Sequence, residues 1–210
     1  MYKQLFLLVL LIIVSCTSNK PGTGMMPELD SLLAKEFSDD QPGGSVMIKK
    51  GGKIIFLGNY GLADLGTKEK ITENTLFNLG SVSKTFVSNG LLILKERGEL
   101  TLDDSLSVYF DDFKNRDIAA RVKLYHMLSH TSGLPDNRNV SEKPDFYLTA
   151  KDRENFDPVK QADSLDFEPG ERYEYSNPAF NGLALIIEKV TGKPWQSFIE
   201  DNILKPSGMI

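Results

Sequence analysis

Apolar residues fall along this chain in patterns that change period several times, and each change predicts an element. Leu29, Leu32, Leu33 and Phe37 recur at helical spacing, so 28–38 reads as an amphipathic helix. Two β-rich runs follow, Gly44–Lys50 and Lys53–Gly58, joined by Gly51-Gly52. A two-residue Gly-Gly loop is a strong hairpin signal, because glycine accepts positive φ. From 81 to 97 the apolar positions Val82, Phe86, Val87, Leu91, Leu92 and Leu94 spread around much of a helix. Such a helix is expected to be central and buried, with Gly98 ending it. Short helices or turns are expected over 101–110 and 122–130. Residues 136–165 are polar, proline-bearing and weakly periodic, and read as a long loop lining a cleft. Two further helices are expected at about 179–190 and 195–204. No internal repeat is visible. Helix, hairpin, then many helices make one α+β unit.

The front of the chain follows different rules. Leu5 to Val14 is almost wholly apolar and follows Lys3. A run of about ten apolar residues is far short of the roughly 20 that cross a bilayer. It fits the apolar core of a secretory signal over residues 1–15. Ile13-Val14-Ser15-Cys16 looks like a bacterial lipoprotein cleavage box with Cys16 as the lipidated residue, against an ordinary signal in which Cys16 is incidental. Lipidation is favoured, since Cys16 is the only cysteine and lies where the box requires it. Residues 16–27 then form a polar tether, and 28–210 the folded domain. The expected place is the cell envelope, anchored by lipid and facing the periplasm or exterior. A single cysteine excludes an internal disulfide framework. The net charge of −5 offers no basic patch for nucleic acid.

The candidate chemistry begins at Ser81-Val82-Ser83-Lys84. Positions three apart on a helix share a face, so the Ser81 hydroxyl and Lys84 amine can meet. A serine hydroxyl is a weak nucleophile until a neighbouring base takes its proton. Burial and the positive end of a helix dipole both disfavour an ammonium, which would favour such a base here. Alone, the pattern equally suits a solvated helix start with a capping serine. Later segments shift the balance: His130-Thr131-Ser132-Gly133-Leu134-Pro135, then Glu168-Pro169-Gly170-Glu171-Arg172-Tyr173-Glu174-Tyr175-Ser176-Asn177, then Thr191-Gly192-Lys193-Pro194 and Leu204-Lys205-Pro206-Ser207-Gly208-Met209.

In this order and spacing the segments resemble the β-lactamase-related serine hydrolases, which include class C β-lactamases, D-alanyl-D-alanine carboxypeptidases and related esterases. The resemblance runs from about residue 28 to the end. It implies a β-lactamase/transpeptidase-like fold and a Ser81 acyl-enzyme formed on an amide, β-lactam or ester carbonyl. It implies Lys84 as the group that takes and returns the Ser81 proton. Tyr175 and Asn177 match the family's Tyr-x-Asn motif, with Tyr175 as general acid/base and Asn177 orienting substrate and Lys84. The Ser-Asn-Pro letters there also signal a turn before a helix. Ser83 is expected to be structural, and the motif's register favours Tyr175 over Tyr173.

The substrate implied is a small molecule or a peptidoglycan peptide, with no cofactor. His126 and His130 stand four apart, but Met127 follows His126 where a zinc-protease pattern needs Glu. No metal site is expected; His130 is read as fixing the Thr131–Gly133 turn. Asp103, Asp104 and Asp136 are read as caps and turn residues.

The family's third catalytic segment, Lys-Thr-Gly or His-x-Gly on a strand, has no match after Asn177. The expectation is a C-terminally truncated member whose sheet lacks most strands, with little turnover and poor folding. Losing one oxyanion donor alone typically costs about 10²–10³ in rate. The alternative reading is a non-catalytic remnant, or a lipoprotein that binds peptidoglycan or a partner.

Overall fold

The computed structural model describes residues 26–138, 140–142 and 145–209. Cys16, the signal sequence and nearly all of the tether lie outside the described residues. Two compact units divide at Asn78/Leu79.

In the first unit, helix α1 (Pro27–Glu36) opens on a proline, whose missing N–H costs nothing at a helix start. It begins one residue earlier than the sequence suggests. None of its residues is buried, and Leu32 lies exposed. Strands β1 (Gly44–Lys50) and β2 (Lys53–Tyr60) pair antiparallel with a register shift between Ile48 and Lys49. Gly51 and Gly52 take φ of 56° and 78°, as a two-residue hairpin turn requires. The hairpin is stapled to α1 through Tyr60, which stacks near Phe37 and donates its hydroxyl to Asp30 Oδ1 at 2.7 Å. Burial and the Asp30 carboxylate push the Tyr60 phenol up to about 12.

The second unit is helical. A 3-10 turn (Gly80–Val82) leads into α2 (Ser83–Glu96), which ends before Gly98 at φ 71°. Next come α3 (Leu106–Tyr109), α4 (Arg116–Arg121), α5 (Leu124–Leu128), α6 (Phe146–Thr149), α7 (Asp152–Lys160), α8 (Asn177–Thr191) and α9 (Trp195–Ile199). A π-helical turn, Glu200–Leu204, follows α9 directly. The core forms around α8, which buries nine residues and packs against α2, α5, α7 and α9. Its approach to α7 depends on Gly182, where a Cβ would stand 2.5 Å from the Phe156 ring. Phe156 in turn packs among Phe110 and Phe113, with ring centres 5.1 and 6.1 Å away. Asp152 at the head of α7 accepts from Asn181 on α8 (2.7 Å) and from the Trp195 indole on α9 (2.8 Å), tying three helices.

Two expectations need correction. Residues 136–165 are not one loop: they carry α6 and α7. Phe156 and Val159 are fully buried, which shows α7 to be a core helix. The stretch hides because α7 is short, mostly polar and interrupted by Pro158. Nor is α2 buried all round. Val87, Gly90, Leu91 and Leu94 are inside, while Val82 and Leu92 are exposed. The sheet of the described residues has two strands.

Candidate active site

The site is built within the second unit from three segments. The first is the turn before α2. A 3-10 turn has three residues per revolution, so side chains at i and i+3 eclipse. Ser81 lies on that turn and Lys84 just inside α2, and Lys84 Nζ donates to Ser81 Oγ at 3.1 Å. Ser83 is exposed.

The second segment is the head of α8. Ser176 caps the helix, its Oγ accepting from the Ala179 N–H at 3.2 Å. Pro178 occupies the first turn, where its missing N–H is harmless. This places Asn177 so that its Oδ1 accepts from Lys84 Nζ at 2.8 Å. Tyr175, just before the cap, brings its hydroxyl to 2.7 Å from Ser81 Oγ. Lys84 Nζ also stands 5.0 Å from the centre of the Tyr175 ring and 5.8 Å from that of Phe180. Ser81, Lys84, Tyr175 and Asn177 are thus joined in one hydrogen-bonded chain. Tyr173 is not part of it; two-thirds exposed, it meets the edge of His130.

Electrostatics follow from these neighbours. Contact with the Lys84 ammonium, then the hydrogen bond with Ser81, hold the Tyr175 phenol below the ordinary tyrosine range, against an opposing push from burial. Burial above all, with Lys84 adding, holds His130 below the usual imidazole value. The phenol therefore sits 2.7 Å from a hydroxyl with its anionic form stabilised, the arrangement a proton acceptor needs.

The third segment is the turn after α5. His130 adopts φ 58° and Gly133 φ 67°. A Cβ on Gly133 would fall 2.0 Å from the Phe167 carbonyl oxygen, so only glycine fits. The irregular stretch 166–176 lies pinned along this turn. Asp166 N–H donates to Gly133 O (2.9 Å), Gly170 N–H to Thr131 O (2.8 Å) and Glu174 N–H to His130 O (2.8 Å). Ser176 N–H donates to His130 Nδ1 at 3.1 Å. The sequence reading of His130 as a turn residue captured the turn and missed this grip. No local signal announces a bond to a peptide 46 positions away.

His126 does not join His130 in a site. It is buried, and its Nδ1 accepts from the Lys123 N–H at the start of α5. No cluster of metal-ligating side chains occurs among the described residues. Asp104 caps the Thr101 N–H and takes the Tyr109 hydroxyl, while Asp103 pairs with Lys123. Asp136 accepts from its neighbour's backbone and also holds the buried Arg138 guanidinium through both oxygens. A pocket of about 200 Å³ on this unit is lined by Phe110, Asp112, Lys160 and Lys189 among others, and by none of the four site residues.

The family model described as Beta-lactamase matches residues 31–210. The chain belongs to the beta-lactamase family. Penicillin-binding protein 4* of Bacillus subtilis (strain 168) is 34% identical over 168 residues, which cover 79% of this chain and 36% of that one. Protein flp of Staphylococcus aureus (strain MW2) is 29% identical over 187 residues, 87% of this chain and 37% of that one. The chain thus spans little more than a third of these curated relatives. Among solved structures, the octameric penicillin-binding protein homologue from Pyrococcus abyssi aligns with a TM-score of 0.74 at 27% identity, over 89% of this chain and 43% of that chain. The D-amino acid amidase from Ochrobactrum anthropi SV3 aligns with a TM-score of 0.65 at 27% identity, over 88% and 49%. The α+β fold seen here, helices with a small two-stranded sheet, is that of this family. The family's members are serine hydrolases of the β-lactamase and penicillin-binding-protein type.

Proposed function

We propose that this beta-lactamase family chain carries the nucleophile and the proton-transferring groups of a cell-envelope serine hydrolase, with Ser81 as nucleophile. The observation that carries the reading is the placement of Ser81 Oγ between the Tyr175 hydroxyl at 2.7 Å and Lys84 Nζ at 3.1 Å. Lys84, which the family resemblance implies as the base, donates here to Ser81 Oγ and Asn177 Oδ1, so Tyr175, its anionic form favoured by Lys84, takes the Ser81 proton in its place as Oγ bonds to the carbonyl carbon of an amide, β-lactam or ester. The backbone N–H of Ser81, at the opening of the turn, is offered to the developing oxyanion. Tyr175 then delivers the proton to the departing nitrogen or oxygen as the carbonyl–heteroatom bond breaks. Water attacks the resulting Ser81 ester by the same path reversed, releasing the acid. Asn177 keeps Lys84 in place through its amide oxygen and turns the rest of that amide toward the substrate. Penicillin-binding and D-amino acid amidase relatives support a substrate that is a small amide or lactam or a peptidoglycan peptide.

The test is covalent labelling of the full-length gene product with a fluorescent penicillin or a fluorophosphonate. Peptide mapping is expected to place the adduct on Ser81, to lose it in Ser81→Ala and to keep it in Ser83→Ala. An adduct on any other serine, or none with either probe, overturns the reading. The lipid anchor at Cys16 belongs to the same proposal. Mass spectrometry is expected to find a diacylated Cys16 at the mature N-terminus, and Cys16→Ser to leave the membrane fraction. An unmodified Cys16 sinks it.

A further inference from the structure

Tyr175 sits on an irregular stretch, yet its hydroxyl must hold a position good to a few tenths of an ångström. Nothing in its own sequence neighbourhood does this. The residue is half-exposed, and its ring rests on one face against His130, centre to centre 4.5 Å with the planes inclined by 31°. The backbone N–H groups of both its neighbours end on that same histidine. Glu174 N–H donates to the His130 carbonyl at 2.8 Å, and Ser176 N–H donates to the His130 ring at Nδ1, 3.1 Å away. One residue therefore brackets Tyr175 with its backbone, its ring nitrogen and its ring face.

We infer that His130 is a positioning residue that sets the place of Tyr175 by gripping the backbone N–H groups of its two neighbours, Glu174 and Ser176. The inference rests on the reading of Tyr175 as proton carrier to Ser81.

Three features suit His130 to the task. Its left-handed φ of 58° turns the carbonyl and the side chain toward the same stretch of chain. Its ring packs against Phe180 of α8 at 5.0 Å and the edge of Tyr173 at 5.7 Å. Accepting at Nδ1 requires that nitrogen to be bare, which puts the single ring proton on Nε2. The groups facing the ring favour that neutral form. Lys84 of α2 is cationic, Tyr173 and Tyr175 are phenols, and Phe180 is uncharged. A proton on Nδ1 would take away the acceptor of the Ser176 N–H and add a second positive charge beside Lys84.

The ring and its acceptor can be separated by substitution. His130→Phe keeps an aromatic ring and deletes the acceptor. His130→Asn deletes the ring and keeps an acceptor oxygen on the side chain; asparagine also tolerates left-handed backbone. The full-length protein is labelled uniformly with ¹⁵N and with ¹³C-tyrosine, and Tyr175 is assigned with Tyr175→Phe. At neutral pH, His130 is expected to show a bare Nδ1, a protonated Nε2 and a scalar coupling to the Ser176 amide nitrogen. This readout needs neither variant to fold. In His130→Phe, penicillin acylation of Ser81 is expected to slow roughly ten- to hundredfold, the scale of a small misplacement of a reacting group. The Tyr175 titration is expected to move up toward the ordinary tyrosine value. In His130→Asn both are expected to stay near wild type. A protonated Nδ1 at neutral pH, a His130→Phe protein with unchanged acylation and Tyr175 titration, or a His130→Asn protein no better than His130→Phe would overturn the inference. If wild-type Ser81 takes no label while the His130 coupling and the Tyr175 titration behave as expected, the proposed catalysis fails and the positioning role stands.

Discussion

Two tyrosines, one in each unit, are held by hydrogen bonds of equal length and pulled in opposite directions. Tyr60 in the hairpin unit gives its hydroxyl to Asp30 at 2.7 Å, and Tyr175 in the helical unit shares its hydroxyl with Ser81 at 2.7 Å. The first is pushed up to about 12, and the second is held below the ordinary range. Tyr109, bound to Asp104, also moves up. The bond itself is not what differs. Burial does most to raise Tyr60 and Tyr109, and the carboxylate beside each adds to it, whereas beside Tyr175 the Lys84 ammonium outweighs burial and draws the proton off. Tyr60 and Tyr109 are staples because burial and a carboxylate partner both keep the phenol protonated. Tyr175 is suited to proton transfer because its neighbour is an ammonium.

The contrast breaks most completely by removing that ammonium. Lys84→Ala is expected to return the Tyr175 titration to the ordinary tyrosine range. Ser81 acylation should fall by roughly 10³-fold, within the usual span for losing acid–base assistance. Stopped-flow acylation alongside a tyrosine titration checks both. Unchanged titration would show that Lys84 does not set the phenol.

Gly133→Ala attacks the turn that holds the Tyr175 stretch. A side chain there combines unfavourable backbone with a collision against the Phe167 carbonyl. The expected cost is about 2 kcal/mol or more in thermal or urea unfolding. Acylation should fall as well, because the pins on either side of the turn shift together. A protein of wild-type stability would contradict the geometry.

The smallest effect belongs to Tyr60. Its folded value lies above its unfolded value of about 10. Its contribution is therefore complete below about 10 and declines as pH rises toward about 12, because the unfolded chain releases the proton first. Asp30→Asn should flatten that alkaline decline and leave Ser81 acylation at neutral pH untouched. Loss of acylation in Asp30→Asn would undo the assignment of Tyr60 to a structural role.

The Ser81–Lys84 arm of the site was legible because its contact is local: three residues apart on a turn is enough. The hairpin was legible for the same reason, since Gly51-Gly52 announces itself. Ser176-Asn177-Pro178 could be read as a helix start, and it is one. The other arm was legible only through resemblance to a family. That Tyr175 reaches Ser81 depends on bonds from His130 to Glu174 and Ser176, which no periodicity records. Helix α7 escaped because its buried face rests on Asn155, Phe156, Val159 and the stem of Lys160, too few apolar letters to set a period. What makes it a helix is the facing surface of α8, opened by Gly182.

The hydrogen bond from Asp166 N–H to Gly133 O closes the base of the whole excursion that carries α6 and α7. It acts as a drawstring. Doubling such a connection costs only about 0.6 kcal/mol in closure entropy. A change of length between that knot and α7 is thus cheap in closure entropy, whereas α7 itself, with Phe156 and Val159 in the core and Asp152 tied to α8 and α9, has to keep its place.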